Sequence, residues 1–169
     1  HIVYLSNTGN LKVGITRLKN VPSRWVDQGA SQAVPIFAVK NRLISGLVEV
    51  AIKEHIADKT NWRKMLQGVA DTSVDILQIR DEMIVKSKND VDAIKLKYGQ
   101  DSVEAVDLPI QNINYHVDEY PVKIKSFNFD KDPLINAKLM GIKGQYLIFD
   151  TGVINVRKFS GYKCNISTI

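Results

Sequence analysis

Ile2-Val3-Tyr4-Leu5, Ser6-Asn7-Thr8-Gly9-Asn10 and Leu11-Lys12-Val13-Gly14-Ile15-Thr16 follow one another at the start of the chain. Two short β-type runs enclose an Asn/Gly-rich turn, which is the pattern of a β-hairpin. Pro22 to Gly29 reads as a short helix, with proline at its opening and glycine at its close. Val34 to Val39 reads as a third strand, and Pro35, lacking an N–H, points to an edge strand or a strand beginning. Leu43 to Ile56 has helical periodicity: Leu43, Leu47 and Val50 lie on one flank, and Ile44, Val48, Ala51 and His55 extend the apolar side. The succession ββαβα predicts a small αβ unit whose sheet buries one face beneath helices.

Downstream the texture changes twice. Residues 73–98 are charged and helical in pattern, with a break near Ser87-Asn89 and a stop at Gly99. From Asn112 onward, short β-like runs over 112–117, 122–129, 137–142, 146–149, 153–159 and 162–166 alternate with Pro and Gly turns. Together these predict an α+β protein in three parts. Residues 1–70 form the αβ domain, 71–107 a mainly helical acidic connector, and 108–169 a small barrel-like or sandwich-like β module.

The 169 residues carry a formal charge of +5, 44% of them are hydrophobic, and there is one cysteine. This is the balance of a folded chain, and it excludes an intrachain disulfide framework and a multi-cysteine metal cluster. No apolar run reaches the length of a membrane span and no signal-peptide pattern appears, so no membrane association and a cytoplasmic location are expected. The charge is divided: residues 1–70 hold 10 basic and 4 acidic side chains, 71–107 hold 5 and 9, and 121–169 hold 8 and 3. Two basic parts flank an acidic one, and such a field favours an anionic partner such as DNA or RNA. A solvated basic surface is the alternative reading.

Tyr4, Lys12, Gly14, Arg17, Arg24 and Glu49 form the constellation of chemical interest. Tyr4 sits on one strand of the hairpin and Lys12 and Gly14 on the other, where Gly14 permits close approach of a ligand. The Arg24 guanidinium suits phosphate oxygens. Glu49, on an apolar helix, is either a divalent-metal ligand or one half of a partly buried ion pair. Arg17 and Lys19 add positive charge there. In the β module, Lys143, Tyr146, Arg157 and Lys158 can hold phosphate and stack bases if they share a face, while Tyr146 and Tyr162 can equally be core. His1, His55 and His116 are dispersed and give no zinc signature, and Cys164 is expected to be a small buried residue.

The order Val3-Tyr4-Leu5, Lys12-Val13-Gly14, Arg24-Trp25 and helical Glu49 resembles the GIY-YIG nuclease superfamily over about the first 60 residues. Several stretches resemble the DUF2797 family across nearly the whole chain. They are Lys12 to Arg17, Arg24 to Ala30, Asp58-Lys-Thr-Asn-Trp62 and Gly141 to Gly152. The nuclease resemblance implies that Tyr4 orients or deprotonates the attacking water. It further implies that Arg24 holds the scissile phosphate and that Glu49 ligates Mg²⁺ or Mn²⁺. Lys12 stands where that superfamily commonly has tyrosine. A lysine there either neutralises phosphate, lowers the pKa of Tyr4, or marks a site that no longer cuts. Asn61 is a candidate for a further polar residue, and the DUF2797 resemblance implies a cysteine-rich segment ahead of His1. Three functions stay open: a metal-dependent nuclease, a silent nucleic-acid-binding protein, and a structural or regulatory interaction protein.

Overall fold

A computed structural model describes residues 1–68 and 75–167. The boundary expected between residues 70 and 71, and the first two residues of the helical stretch expected from 73, lie outside the described residues. The hairpin forms as its composition predicts. Strands β1 (Ile2–Asn7) and β2 (Leu11–Thr16) pair antiparallel, with Tyr4 opposite Gly14 and Ser6 opposite Lys12. A short helix α1 (Ser23–Asp27), strand β3 (Gln32–Val39) and helix α2 (Arg42–Lys53) complete the expected ββαβα order. Asn41 caps α2 by accepting the Ile44 N–H at 3.0 Å.

Pro35 departs from the expectation of an edge. β3 is an inner strand, between β1 on one side and β4 (Val103–Ala105) and β5 (Gln111–Asn112) on the other. Proline is tolerated because β4 pairs with Phe37 to Val39 and β5 with Gln32 and Ala33, which leaves Pro35 between the two short partners. The sheet order is β2-β1-β3-β4, so β2 lies at an edge.

The sheet buries both faces. Val3, Leu5, Val13, Val34 and Ile36 point to one side, where they meet Ile44, Val48 and Ile52 of α2. Helices α4 (Ile76–Lys86) and α5 (Lys88–Tyr98) add Ile76, Met83 and Val91 to this core. They separate at Ser87, whose hydroxyl turns back to the Met83 carbonyl at 2.7 Å, and α5 stops at Gly99. The alternate residues Ile2, Tyr4 and Ala33 face the other side and pack with Trp25 and Ala30. Helix α3 (Trp62–Leu66) supplies Met65 and Leu66 to a second core with Ile148 and Val153.

The C-terminal residues form an antiparallel three-stranded sheet, β6 (Leu139–Lys143), β7 (Tyr146–Phe149) and β8 (Gly152–Asn155), with no closed barrel among the described residues. Of the runs expected there, 122–129 contributes one isolated bridge, Ser126 to Val153, and 162–166 is not a strand. After Asn155 the chain leaves the sheet because that side chain accepts the N–H groups of Arg157 and Lys158, winding a 3-10 turn over Val156–Phe159. Cys164 is exposed, since no strand carries it inward.

Candidate functional site

The loop after α2 builds the site by lacing itself along the β1–β2 hairpin. The Val13 N–H donates to the Ala57 carbonyl at 2.9 Å, satisfying an edge group of β2. Asn10 Nδ2 donates to the Lys59 carbonyl, and Asn10 Oδ1 accepts the Asn61 N–H at 2.8 Å. These bonds place Thr60 beside Lys12, whose Nζ donates to Thr60 Oγ1 at 2.9 Å. Thr8 and Thr60 hydroxyls lie 3.3 Å apart. Asn61 is committed to capping α3, where its side chain accepts the Lys64 N–H. It therefore serves folding at this position.

Tyr4 is fully buried. Its ring meets Trp25 edge-on with centroids 5.7 Å apart, and its hydroxyl donates to Gln28 Oε1 at 3.3 Å. Gly14 permits a close approach, but by Tyr4 itself: a Cβ at Gly14 would fall 2.8 Å from the Tyr4 hydroxyl. Lys12 is 7% exposed, whereas Arg24 and Glu49 are half-buried and reach solvent. Among the described residues neither Lys12 nor Arg24 has a carboxylate within 4.0 Å. Ser6 Oγ, opposite Lys12 on β1, and Trp25 Nε1 are buried donors without a partner among the described residues.

The four groups share one electrostatic neighbourhood. Burial pushes the Tyr4 phenol up, and this outweighs the nearby Arg24, which favours the phenolate. Burial thus favours the protonated hydroxyl of Tyr4, and the nearby groups that act on it are Arg24, Gln28 and Glu49. Burial lowers Lys12, and the charge of Arg24 adds to that effect against Asp58 and Glu49. Burial raises Glu49, with Asp58 reinforcing it and Arg42, Lys53 and Lys12 opposing. Asp58 is the carboxylate that sequence reasoning passed over, although it opens the Asp58 to Trp62 stretch. Among the described residues no group of three metal-ligating side chains forms. Glu49 is a half-buried carboxylate that enters no ion pair within 4.0 Å among the described residues.

Arg17 and Lys19 are exposed beside the end of β2. The residues named in the C-terminal sheet do not form one exposed face. Lys143 is buried, with Nζ 5.3 Å from the Tyr115 ring and 5.0 Å from the Tyr120 ring. Tyr146 stacks on Trp62 at 5.9 Å with planes 7° apart, and Arg63 lies 4.4 Å from the same indole. Arg157 and Lys158 remain exposed. An open groove is lined by Asn114, Tyr115, His116, Asp118 and Met140, none of which belongs to the Tyr4 cluster. No helix among the described residues is long and apolar enough to cross a membrane.

Fold and site together define a mixed α+β chain whose antiparallel sheet gathers two cations, a tyrosine and a carboxylate. The family model described as a protein of unknown function (DUF2797) matches residues 1–164, and the chain belongs to that family. No curated protein and no solved structure matches it.

Proposed function

We propose that the Tyr4, Lys12, Arg24 and Glu49 cluster binds a nucleic-acid phosphate and hydrolyses the phosphodiester with a divalent metal, Mg²⁺ or Mn²⁺. One observation carries this reading: a buried lysine and a half-buried arginine act on one another with no carboxylate within 4.0 Å of either among the described residues. Holding unpaired positive charge away from water is costly, and a phosphate is the anion that two such donors offset. The resemblance of the first 60 residues to GIY-YIG nucleases supports the same reading.

Arg24 is the cation open to solvent and holds a non-bridging phosphate oxygen, stabilising charge that develops there. Lys12 acts from beneath, fixed by Thr60. Burial favours the protonated form of Tyr4, so its proposed part is orientation by hydrogen bonding. Glu49 would hold the metal, which supplies charge neutralisation at the phosphate when bound. A second reading, binding without cleavage, is favoured by the full burial of Tyr4 and by Lys12 in the tyrosine position.

The test is cleavage of labelled single- and double-stranded DNA and RNA with Mg²⁺ or Mn²⁺. Glu49→Ala is expected to abolish turnover, and Arg24→Ala to reduce it by about a hundredfold. Binding with no metal-dependent cleavage establishes the second reading. Loss of both leaves an interaction or structural role.

A further inference from the structure

The helix that carries Arg24 has five residues and packs on the sheet chiefly through buried Trp25. So short a helix does not hold its own orientation, because few of its backbone groups are paired internally. Its C-terminal end is closed locally by the Gly29 and Ala30 N–H groups on the Val26 and Trp25 carbonyls, and residues more than 80 positions away hold it further. The Tyr115 hydroxyl lies 3.1 Å from the Val26 carbonyl and 3.0 Å from the Ala30 carbonyl, the two ends of the turn that contains Gln28. The β6–β7 turn closes on the same segment: a Cβ at Gly144 would lie 2.8 Å from the Gly29 nitrogen and 3.0 Å from the Asp27 carbonyl oxygen. Gly144 has φ +58°, a second reason for glycine there. Lys143 then sets its ammonium between the Tyr115 and Tyr120 rings and fixes Tyr115 from behind.

We propose that Tyr115, Lys143 and Gly144 are positioning residues for α1, and that the C-terminal sheet acts as a brace keeping Arg24 and Gln28 turned toward Tyr4. This assigns Lys143 a role other than phosphate contact. It rests on the phosphate reading only for its binding arm, because the brace itself is observable without ligand.

Tyr115→Phe keeps the ring and removes the hydroxyl, and Lys143→Met keeps the stem and removes the cation. NMR of the full chain follows the Arg24 Nε–H and the Gln28 side-chain amide. Binding of a fluorescein-labelled single-stranded DNA oligonucleotide is measured in parallel. Both variants are expected to shift the Arg24 and Gln28 signals while leaving β7 and β8 signals in place. Oligonucleotide affinity is expected to fall about tenfold, with Lys143→Arg restoring it. Arg24 and Gln28 signals that coincide with wild type in both variants overturn the brace, whatever the oligonucleotide does. Shifts that spread through β7 and β8 overturn it too, since they report general loosening. If Tyr115→Phe does not fold, Lys143→Met carries the same decision. A wild-type chain that binds no oligonucleotide rejects the phosphate reading and leaves the brace to be decided by the NMR signals.

Discussion

Among the described residues the buried Lys12 ammonium makes one hydrogen bond, to the Thr60 hydroxyl at 2.9 Å, and has no carboxylate within 4.0 Å. Replacing it with a neutral side chain of similar shape removes a buried cation and is expected to stabilise the fold. Lys12→Met should raise stability at pH 7 by about 1 kcal/mol, a few degrees in thermal midpoint, while phosphate binding is lost. The pH dependence follows from the downward direction of the Lys12 shift. A lysine whose folded pKa is depressed binds fewer protons folded than unfolded between the two values, so its penalty is full below the folded pKa. The penalty fades as pH rises to the ordinary lysine value. The gap between variant and wild type should therefore narrow toward alkaline pH in urea titrations, and a gap that widens would contradict the assignment. Gly14 tests the neighbouring residue. A Cβ there meets Tyr4 Cζ and Oη at 2.8 Å, so Gly14→Ala should cost about 1–3 kcal/mol in urea unfolding.

The loop over residues 57–61 is the element that converts a hairpin into a site, and Thr60 is its contact with Lys12. Thr60→Val removes the acceptor at nearly constant shape. It should weaken binding of a DNA oligonucleotide about fivefold, and Thr60→Ser should recover it; equal binding by all three chains would show that Lys12 needs no such partner. This element also marks how far sequence carries. The hairpin, α1 and α2 were legible because turn residues, a Pro-to-Gly frame and a 3.6-residue stripe are local signals. Tyr4, Lys12, Arg24 and Glu49 were singled out by residue type and expected placement on the hairpin and helices, and the nuclease resemblance attached proposed roles to them. Thr60 was not, since a hydrogen bond spanning 48 residues leaves no local pattern, and Asp58 was not, since it acts on Lys12 and Glu49 through space. Pro35 misled for the same reason: whether a strand is inner or outer depends on partners that are far along the chain. The β-like runs after residue 121 show the general case, in which alternation supplies strand propensity but a strand also needs an edge to pair with. Segment 122–129 found a single bridge, and the chain after Asn155 was turned aside by that residue's own side chain.

At the scale of the whole molecule, the charge of +5 divides into cations that meet solvent and cations that are structural. Lys143 belongs to the second kind, buried between two tyrosine rings, and Tyr146 is occupied by Trp62. Arg157 and Lys158 belong to the first kind. Tyr146 pairs with Asn155, which caps their turn, so stacking on Trp62 links that turn to α3 and the Thr60 loop. The distinction is measurable because only a cation that neutralises a phosphate releases counterions, at about 0.9 in log–log salt slope per contact on duplex DNA. If Arg157 and Lys158 touch the backbone, replacing both with serine should flatten the slope by about 1.8 and weaken binding most at low salt. Lys143→Met should instead lower affinity by a similar factor at every salt concentration, because it acts through α1 and touches no phosphate. A slope that changes with Lys143→Met and not with the paired serine variant would reverse these roles, making the C-terminal sheet a second binding surface in place of a brace.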